Sequence, residues 1–269
     1  MSVSTPAANT LFAELPAVHP SSFAQWRALT GCIVHTMATK GELIVAVLTP
    51  LVVTVAFYLP LKYVMQVQGI DYAQYVMPIV VLQTMAMTMM SNAQLAAFEA
   101  LTGLSTRLQT MPIGSLVPLM SRICAGLVRS IVSLIATVAY GYVIGFRFTG
   151  GWLQALAFCG FALAVGVVLT LGADALGSLT KNPEALSQAL TLPILIFGMM
   201  STGFVPEASF PAWVRPFARN QPISQFAQTL SDMAAGHLSW AGTWVSLVWL
   251  GGLAVFFLPL AVWASVRRS

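Results

Sequence analysis

An all-helical, polytopic membrane fold follows from the length of the chain's uncharged intervals, their number, and a composition unlike that of a water-soluble domain. Six intervals hold no Asp, Glu, Lys or Arg: residues 43–61, 72–98, 131–146, 148–173, 185–206 and 233–266, the last interrupted only by His237. Each approaches the roughly 20 apolar residues a helix needs to cross a hydrocarbon core about 30 Å thick, where every backbone polar group must be satisfied internally. Hydrophobic residues make up 58% of the chain and charged residues 7%, against about 45–50% and about 25% in soluble domains. The expected organisation is a disordered cytoplasmic tail at 1–21, an amphipathic interfacial helix at 22–41, and a six-helix transmembrane domain at 42–268.

Residues 1–20 lack a basic start followed by an apolar run, so no cleavable signal is expected and insertion begins with the first span. With the N-terminus inside, Arg27, Lys40, Arg107, Arg122, Arg129, Lys181, Arg267 and Arg268 fall on the cytoplasmic side, and Lys62, Arg147, Arg215 and Arg219 outside. This excess of inner basic residues favours cytoplasmic N- and C-termini in the plasma membrane.

The helix before the first span has apolar residues at Phe23, Trp26, Leu29, Ile33 and Met37, spaced by three or four. That pattern suits a helix in the interface with Trp26 at headgroup level and Arg27 toward water, as a plain anchor or as a contact for a cytoplasmic partner. Span one carries Pro50, whose freed carbonyl neighbouring helices can re-satisfy. Span two contains Met77, Met85, Met87, Met89 and Met90, side chains that adapt to irregular apolar surfaces, either as packing or as a pliable wall for a greasy substrate. Between spans two and three, Leu101, Leu104 and Leu108 recur at helical spacing before Pro112 and Gly114, which predicts a short cytoplasmic amphipathic helix.

Span three carries Arg122 and Arg129 at its inner end, and span four returns with Asp174. Intramembrane charges pair or snorkel. Arg129 lies about 10 Å deeper than Arg122 at roughly 1.5 Å per residue, and Asp174 is expected to reach a similar level, so an Arg129–Asp174 pair or shared polar network is expected unless each snorkels independently. Span five holds Pro193 and Gly198; the apolar outer segment after it predicts two short helices broken at 220–222. That segment either caps a translocation exit or packs on the span ends.

The chemistry the chain lacks narrows its function. No GxxxxGK[ST] occurs to cradle ATP phosphates, no GxSxG to present a nucleophile, and no HExxH or CxxC to hold a metal. No catalytic residue and no metal site is therefore assigned. Cys32, Cys124 and Cys159 lie in a span or near the inner face, which disfavours a structural disulfide. His19, His35 and His237 are scattered, and no repeat suggests an inverted-repeat secondary transporter. With few ionisable groups at mid-membrane, energy has to come from another protein.

A family resemblance supplies that protein. The stretches ALTGLSTRLQTMPIGSLVPLMSRI, GYVIGFRFTGGW, LPILIFGMMSTGFVP and PAWVRPFARNQPISQF, in this order, resemble the ABC-2 type permeases of the daunorubicin-resistance family, which includes mycobacterial permeases for export of phthiocerol dimycocerosate lipids. The resemblance implies a non-catalytic permease subunit, two copies of a cytoplasmic ABC ATPase binding ATP and Mg, and a second homologous permease, a different chain. It implies no cofactor on this chain and no nucleic-acid partner; membrane lipids and a lipid or lipophilic drug are its contacts. The loop between spans two and three becomes the coupling helix, with Gly103, Arg107, Leu108, Met111 and Pro112 meeting the ATPase. Phe204, Pro206, Trp213, Phe217 and Pro222 mark the outer exit segment. A multidrug exporter without a dedicated lipid, a passive channel and a lipid-modifying enzyme are the alternatives.

Overall fold

A computed structural model describes residues 22–66, 72–102, 117–180, 182–203, 210–237 and 240–266. The described residues form helices joined by short turns: α1 (Ser22–Thr39), α2 (Glu42–Gln66), α3 (Tyr72–Leu101), α4 (Val117–Ile144), α5 (Trp152–Leu179), α6 (Pro183–Met199), α7 (Arg215–Asn220), α8 (Pro222–Ala235) and α9 (Trp240–Val266). Five of them, α2, α3, α4, α5 and α9, are long and apolar enough to cross a membrane. The helix expected as a fifth crossing, α6, has 17 residues and is about 25 Å long at 1.5 Å per residue, shorter than the hydrocarbon core.

The bundle is built around α3, whose apolar window is 72% buried, against 22% for α2 and 11% for α9. Val76, Met77, Ile79, Val80, Val81 and Met85 of α3 meet Phe158, Phe161 and Val165 of α5 and Phe226 and Leu230 of α8 in one cluster. Close approach requires small residues, since apolar surface by itself does not draw helices together in lipid. At Gly177 of α5 a Cβ would overlap the Ala93 carbonyl of α3, so the two backbones touch there.

Proline inside α2 is accommodated by a neighbour. Pro50 has no N–H for the Ala46 carbonyl one turn earlier; Ser133 of α4 donates its hydroxyl to that oxygen at 3.0 Å. The turn from α1 into α2 passes through Gly41 at φ 76°, a left-handed conformation that glycine adopts without strain. On α1, Trp26, Ile33 and Met37 lie on the covered side and Arg27 is exposed, and the helix packs along α4. Of the stripe anticipated from the spacing, Met37 is thus buried against protein, while Phe23 is 67% exposed.

Glu42, Glu99, Arg122, Arg129 and Asp174 collect at one end of the bundle, where α2, α4 and α6 begin and α3, α5 and α9 finish. At the opposite end the chain does not simply turn. The helices α7 and α8 break at Gln221, and α8 inserts Phe226, Leu230, Met233 and Ala234 into the main core. Ser246 of α9 shares a 2.7 Å hydrogen bond with Thr229 and donates to the Gln225 carbonyl at 2.9 Å. Thr149 N–H donates to the Ala234 carbonyl at 3.1 Å.

Candidate functional site

The most prominent feature of the interior is an apolar cavity of about 580 Å³ in the half of the bundle away from the ion pairs of Arg122 and Arg129. Its walls come from six elements: Leu82, Ala86 and Met89 of α3, Val165 and Leu169 of α5, Pro193, Ile194 and Phe197 of α6, Phe217 of α7, Gln221 at the break and Ile223 and Phe226 of α8, and Trp249, Leu253 and Phe257 of α9. The size is within the roughly 300–1,000 Å³ of small-molecule sites.

The cavity exists because α6 stands off from α5 and α9. Its middle lines the cavity, and only Leu186 and Gly198, near its two ends, are buried. Asn182 starts the helix by accepting the Glu184 and Ala185 N–H groups at 3.1 and 3.2 Å, as an N-cap does. Gln94 of α3 donates to Ser187 at 2.5 Å. At the far end Gln221 donates its Nε2 to the Phe197 carbonyl at 3.2 Å, and the Phe197 and Phe217 rings stack with centroids 6.1 Å apart.

Of the residues anticipated for the exit segment, Phe217 and Pro222 line this cavity. Trp213 is 83% exposed and stands outside it, and Phe204 and Pro206 lie outside the described residues. Met89 lines the cavity, whereas Met77 and Met85 are buried in the core; the methionine run serves both packing and wall. Gln221 and Trp249 were not anticipated. The visible signal for Gln221 was an amide preceding Pro222 in an apolar segment, and for Trp249 a large aromatic in mid-span.

A second polar site lies at the charged end, and it corrects the expected pairing. Arg129 is 4% exposed and pairs with Glu42 of α2, donating also to Ser91 Oγ at 2.7 Å and to the side-chain Oδ1 of Asn92 at 3.4 Å. Asp174 takes Arg122, Nε to Oδ1 at 2.7 Å, and Arg122 reaches Glu99 at 3.4 Å. Helix register is the cause. Asp174 lies five residues before the end of α5 at Leu179, and Arg122 five residues after the start of α4 at Val117. With the two helices antiparallel, Asp174 is level with Arg122 and two turns from Arg129. The groups adjoin through Asn92, whose Nδ2 donates to Thr170 of α5 at 3.3 Å. Together they tie α2, α3, α4 and α5 at one end of the bundle, over about two helical turns.

Among the described residues, no group of His, Cys, Asp or Glu could hold a metal ion. Gly103, Arg107, Leu108, Met111 and Pro112 lie outside the described residues. The cavity is of a size and lining suited to holding an apolar molecule within a helical bundle.

Comparison with known proteins agrees. Residues 41–263 match the family model described as ABC-2 family transporter protein. The chain is 38% identical over 243 residues to the doxorubicin resistance ABC transporter permease protein DrrB of Mycobacterium tuberculosis, covering 85% of this chain and 84% of that protein. It is 30% identical over 162 residues to the probable doxorubicin resistance permease DrrC of the same organism, 60% of this chain and 58% of that one. The daunorubicin resistance permease DrrB1 of Streptomyces coeruleorubidus is 24% identical over 253 residues, 93% of this chain and 87% of its own. With the family model matching nearly the whole helical bundle and DrrB aligned over most of both chains, this protein belongs to the ABC-2 family of transporter permeases.

Proposed function

We propose that this chain is the membrane permease subunit of an ATP-driven exporter that moves a lipophilic drug or a hydrophobic lipid across the plasma membrane. The apolar cavity of about 580 Å³ inside the bundle carries the reading, because a chain built only to anchor a complex has no reason to hold α6 away from its neighbours. ATP and Mg are bound by a separate cytoplasmic ABC ATPase, present in two copies, and a second homologous permease completes the route. The doxorubicin and daunorubicin resistance named for the relatives supports a lipophilic drug as cargo; a lipid of the phthiocerol dimycocerosate kind suits the same apolar walls.

In this reading both termini are cytoplasmic, as the distribution of Lys and Arg favours, and α6 is the fifth of six crossings. Its short length suits a bilayer thinned where α7 and α8 cover its outer end. ATP binding draws the ATPase subunits together and displaces the coupling segment containing Gly103, Arg107, Leu108, Met111 and Pro112, shifting the permease pair between two arrangements. Arg107 pairs with an acidic rim of the ATPase while Leu108 and Met111 fill its groove.

Transport by proteoliposomes tests the proposal. Vesicles containing the permease pair and the ATPase should move doxorubicin, or a dimycocerosate lipid, only with ATP, and vesicles lacking the ATPase should move neither. Arg107→Glu and Pro112→Leu should insert normally yet lose transport by tenfold or more. Movement without the ATPase, or full transport in both variants, would sink the proposal.

A further inference from the structure

The cavity is open on one side. Leu82, Val165 and Phe226 on its floor are buried, whereas Phe197 of α6, Phe217 of α7 and Trp249 of α9, which also line it, are 37%, 48% and 40% exposed. These three rings frame a mouth where α6, packed along α3 and only lightly against α5, stands apart from α9. The surface around the mouth is apolar, with Leu192, Leu195 and Met199 of α6 and Leu247 and Val248 of α9 all exposed. Depth fixes what lies outside it. Leu253, in the cavity wall, is the middle residue of the apolar stretch Gly242–Ala264. The cavity therefore reaches the centre of the hydrocarbon, where the bilayer offers chain ends and neither headgroups nor bulk water. From Trp249 to Phe257 the wall is about 12 Å long at 1.5 Å per residue, against roughly 15 Å for one leaflet's hydrocarbon. An apolar cavity of about 150 Å³ takes one benzene, and this one is about four times that size. Left empty, it would forfeit the dispersion contacts of its whole lining. The amides of Gln83, Asn220 and Gln221 interrupt that lining, with no charged side chain among the described residues.

We infer that the cavity is the seat of a bilayer lipid: the end of a phospholipid acyl chain enters sideways between α6 and α9 and fills it. The chain is held by shape and dispersion, so occupancy follows the length of the chain and not the charge of the headgroup. Such an occupant accounts for α6, in which only Leu186 and Gly198 are buried. With a chain on the cavity side, at Pro193, Ile194 and Phe197, and lipid on the other, at Leu192 and Leu195, the helix has hydrocarbon on both faces. Water would have to cross the apolar surface around the mouth to reach the amides inside. The inference concerns the resident molecule, not the exported one, and does not rest on the permease reading. If the cavity also carries cargo, as that reading has it, cargo and chain compete for the same space.

Depth-resolved fluorescence quenching tests it, with the full chain reconstituted in phosphatidylcholine brominated near the end of one acyl chain or, for comparison, near its glycerol. In a background whose native tryptophans are all replaced by phenylalanine, Phe226→Trp puts a reporter on the cavity floor, and Phe158→Trp puts one in the same buried core away from the cavity. Chain-end bromines should quench the Phe226→Trp protein several times more strongly than the Phe158→Trp protein, and more strongly than bromines near the glycerol do. Adding Ala86→Phe, which fills the cavity from α3, should bring the first reporter down to the level of the second. Another measurement needs no tryptophan replacement: the otherwise native chain should keep more phospholipid per molecule through prolonged washing in mild detergent than its Ala86→Phe variant. Equal quenching of the two reporters by chain-end bromines would overturn the inference, as would lipid retention unchanged by Ala86→Phe. Quenching of the Phe226→Trp protein by aqueous iodide in place of bromolipid would overturn it too, by showing a water-filled cavity. None of these measurements involves ATP or the ATPase, so failure here leaves the permease reading standing, and export without the ATPase would sink that reading without touching this one.

Discussion

Charge pairing at the end of the bundle where α4 begins and α5 finishes shows what a single side chain does. Arg122, 18% exposed, and Asp174, 5% exposed, hold α4 to α5 at a depth where an unpaired charge is expensive. Removing one partner from a buried pair costs roughly 3–5 kcal/mol, and the partial exposure of Arg122 places this pair at the lower end. Asp174→Arg or Arg122→Asp alone should therefore lower the yield of monodisperse protein in mild detergent several-fold, and the exchange of the two should restore most of it. Exchanging Arg129 with Asp174 should restore nothing; if it does, the pairs are misassigned. The charged residues themselves were legible, because a guanidinium or carboxylate in an apolar run is conspicuous. Which one meets which was not. Pairing depends on how far each helix extends past its neighbours, and with α4 starting at Val117 and α5 ending at Leu179 the level of Asp174 shifts by two turns from the level inferred by counting.

Among the elements, the spanning helices were legible for a simple reason: in hydrocarbon an uncharged run has no alternative to helix. The segment of α7 and α8 was readable through its Pro222, which opens α8 just past the break at Gln221. The shortness of α6 was not, since residues 200–203 continue its uncharged run without continuing its helix. Neither was the way α2 tolerates Pro50. Ser133 completes the Ala46 carbonyl from a different helix, and nothing in the sequence of α2 points to it. A double-mutant cycle tests that arrangement. Ser133→Ala should destabilise the wild-type background by about 1 kcal/mol, the scale of one interhelical hydrogen bond. In Pro50→Ala, where the backbone N–H of residue 50 can serve Ala46 itself, the same change should cost less than half as much. Equal costs in both backgrounds would show that the serine merely packs.

For the molecule as a whole, the open question in the sequence is which faces meet lipid, because interior and lipid-facing positions are equally greasy and leave no periodicity to read. The structure separates two kinds of periphery. The outward side of α9 presents Val248, Val255, Phe256 and Leu258, a uniformly apolar surface suited to acyl chains. The groove between α2, α3 and α6 mixes the polar Glu42, Ser91, Gln94, Glu184 and Ser187 with the apolar Val45, Leu95, Phe98 and Pro183. Polar groups at membrane depth are tolerated where protein or water covers them, not against lipid. The groove is therefore the face expected to receive the second permease of the proposed complex. Val45 and Val255 make a matched pair for testing this, being the same residue type, 58% and 74% exposed, on opposite sides of the bundle. With Cys32, Cys124 and Cys159 replaced by serine, Val45→Cys should form crosslinks to a cysteine-scanned partner permease in native membranes at several times the yield of Val255→Cys. The contrast should vanish when the partner is absent. Equal yields from the two positions would mean that the polar groove is flooded by water from the charged end, and that the permeases meet elsewhere.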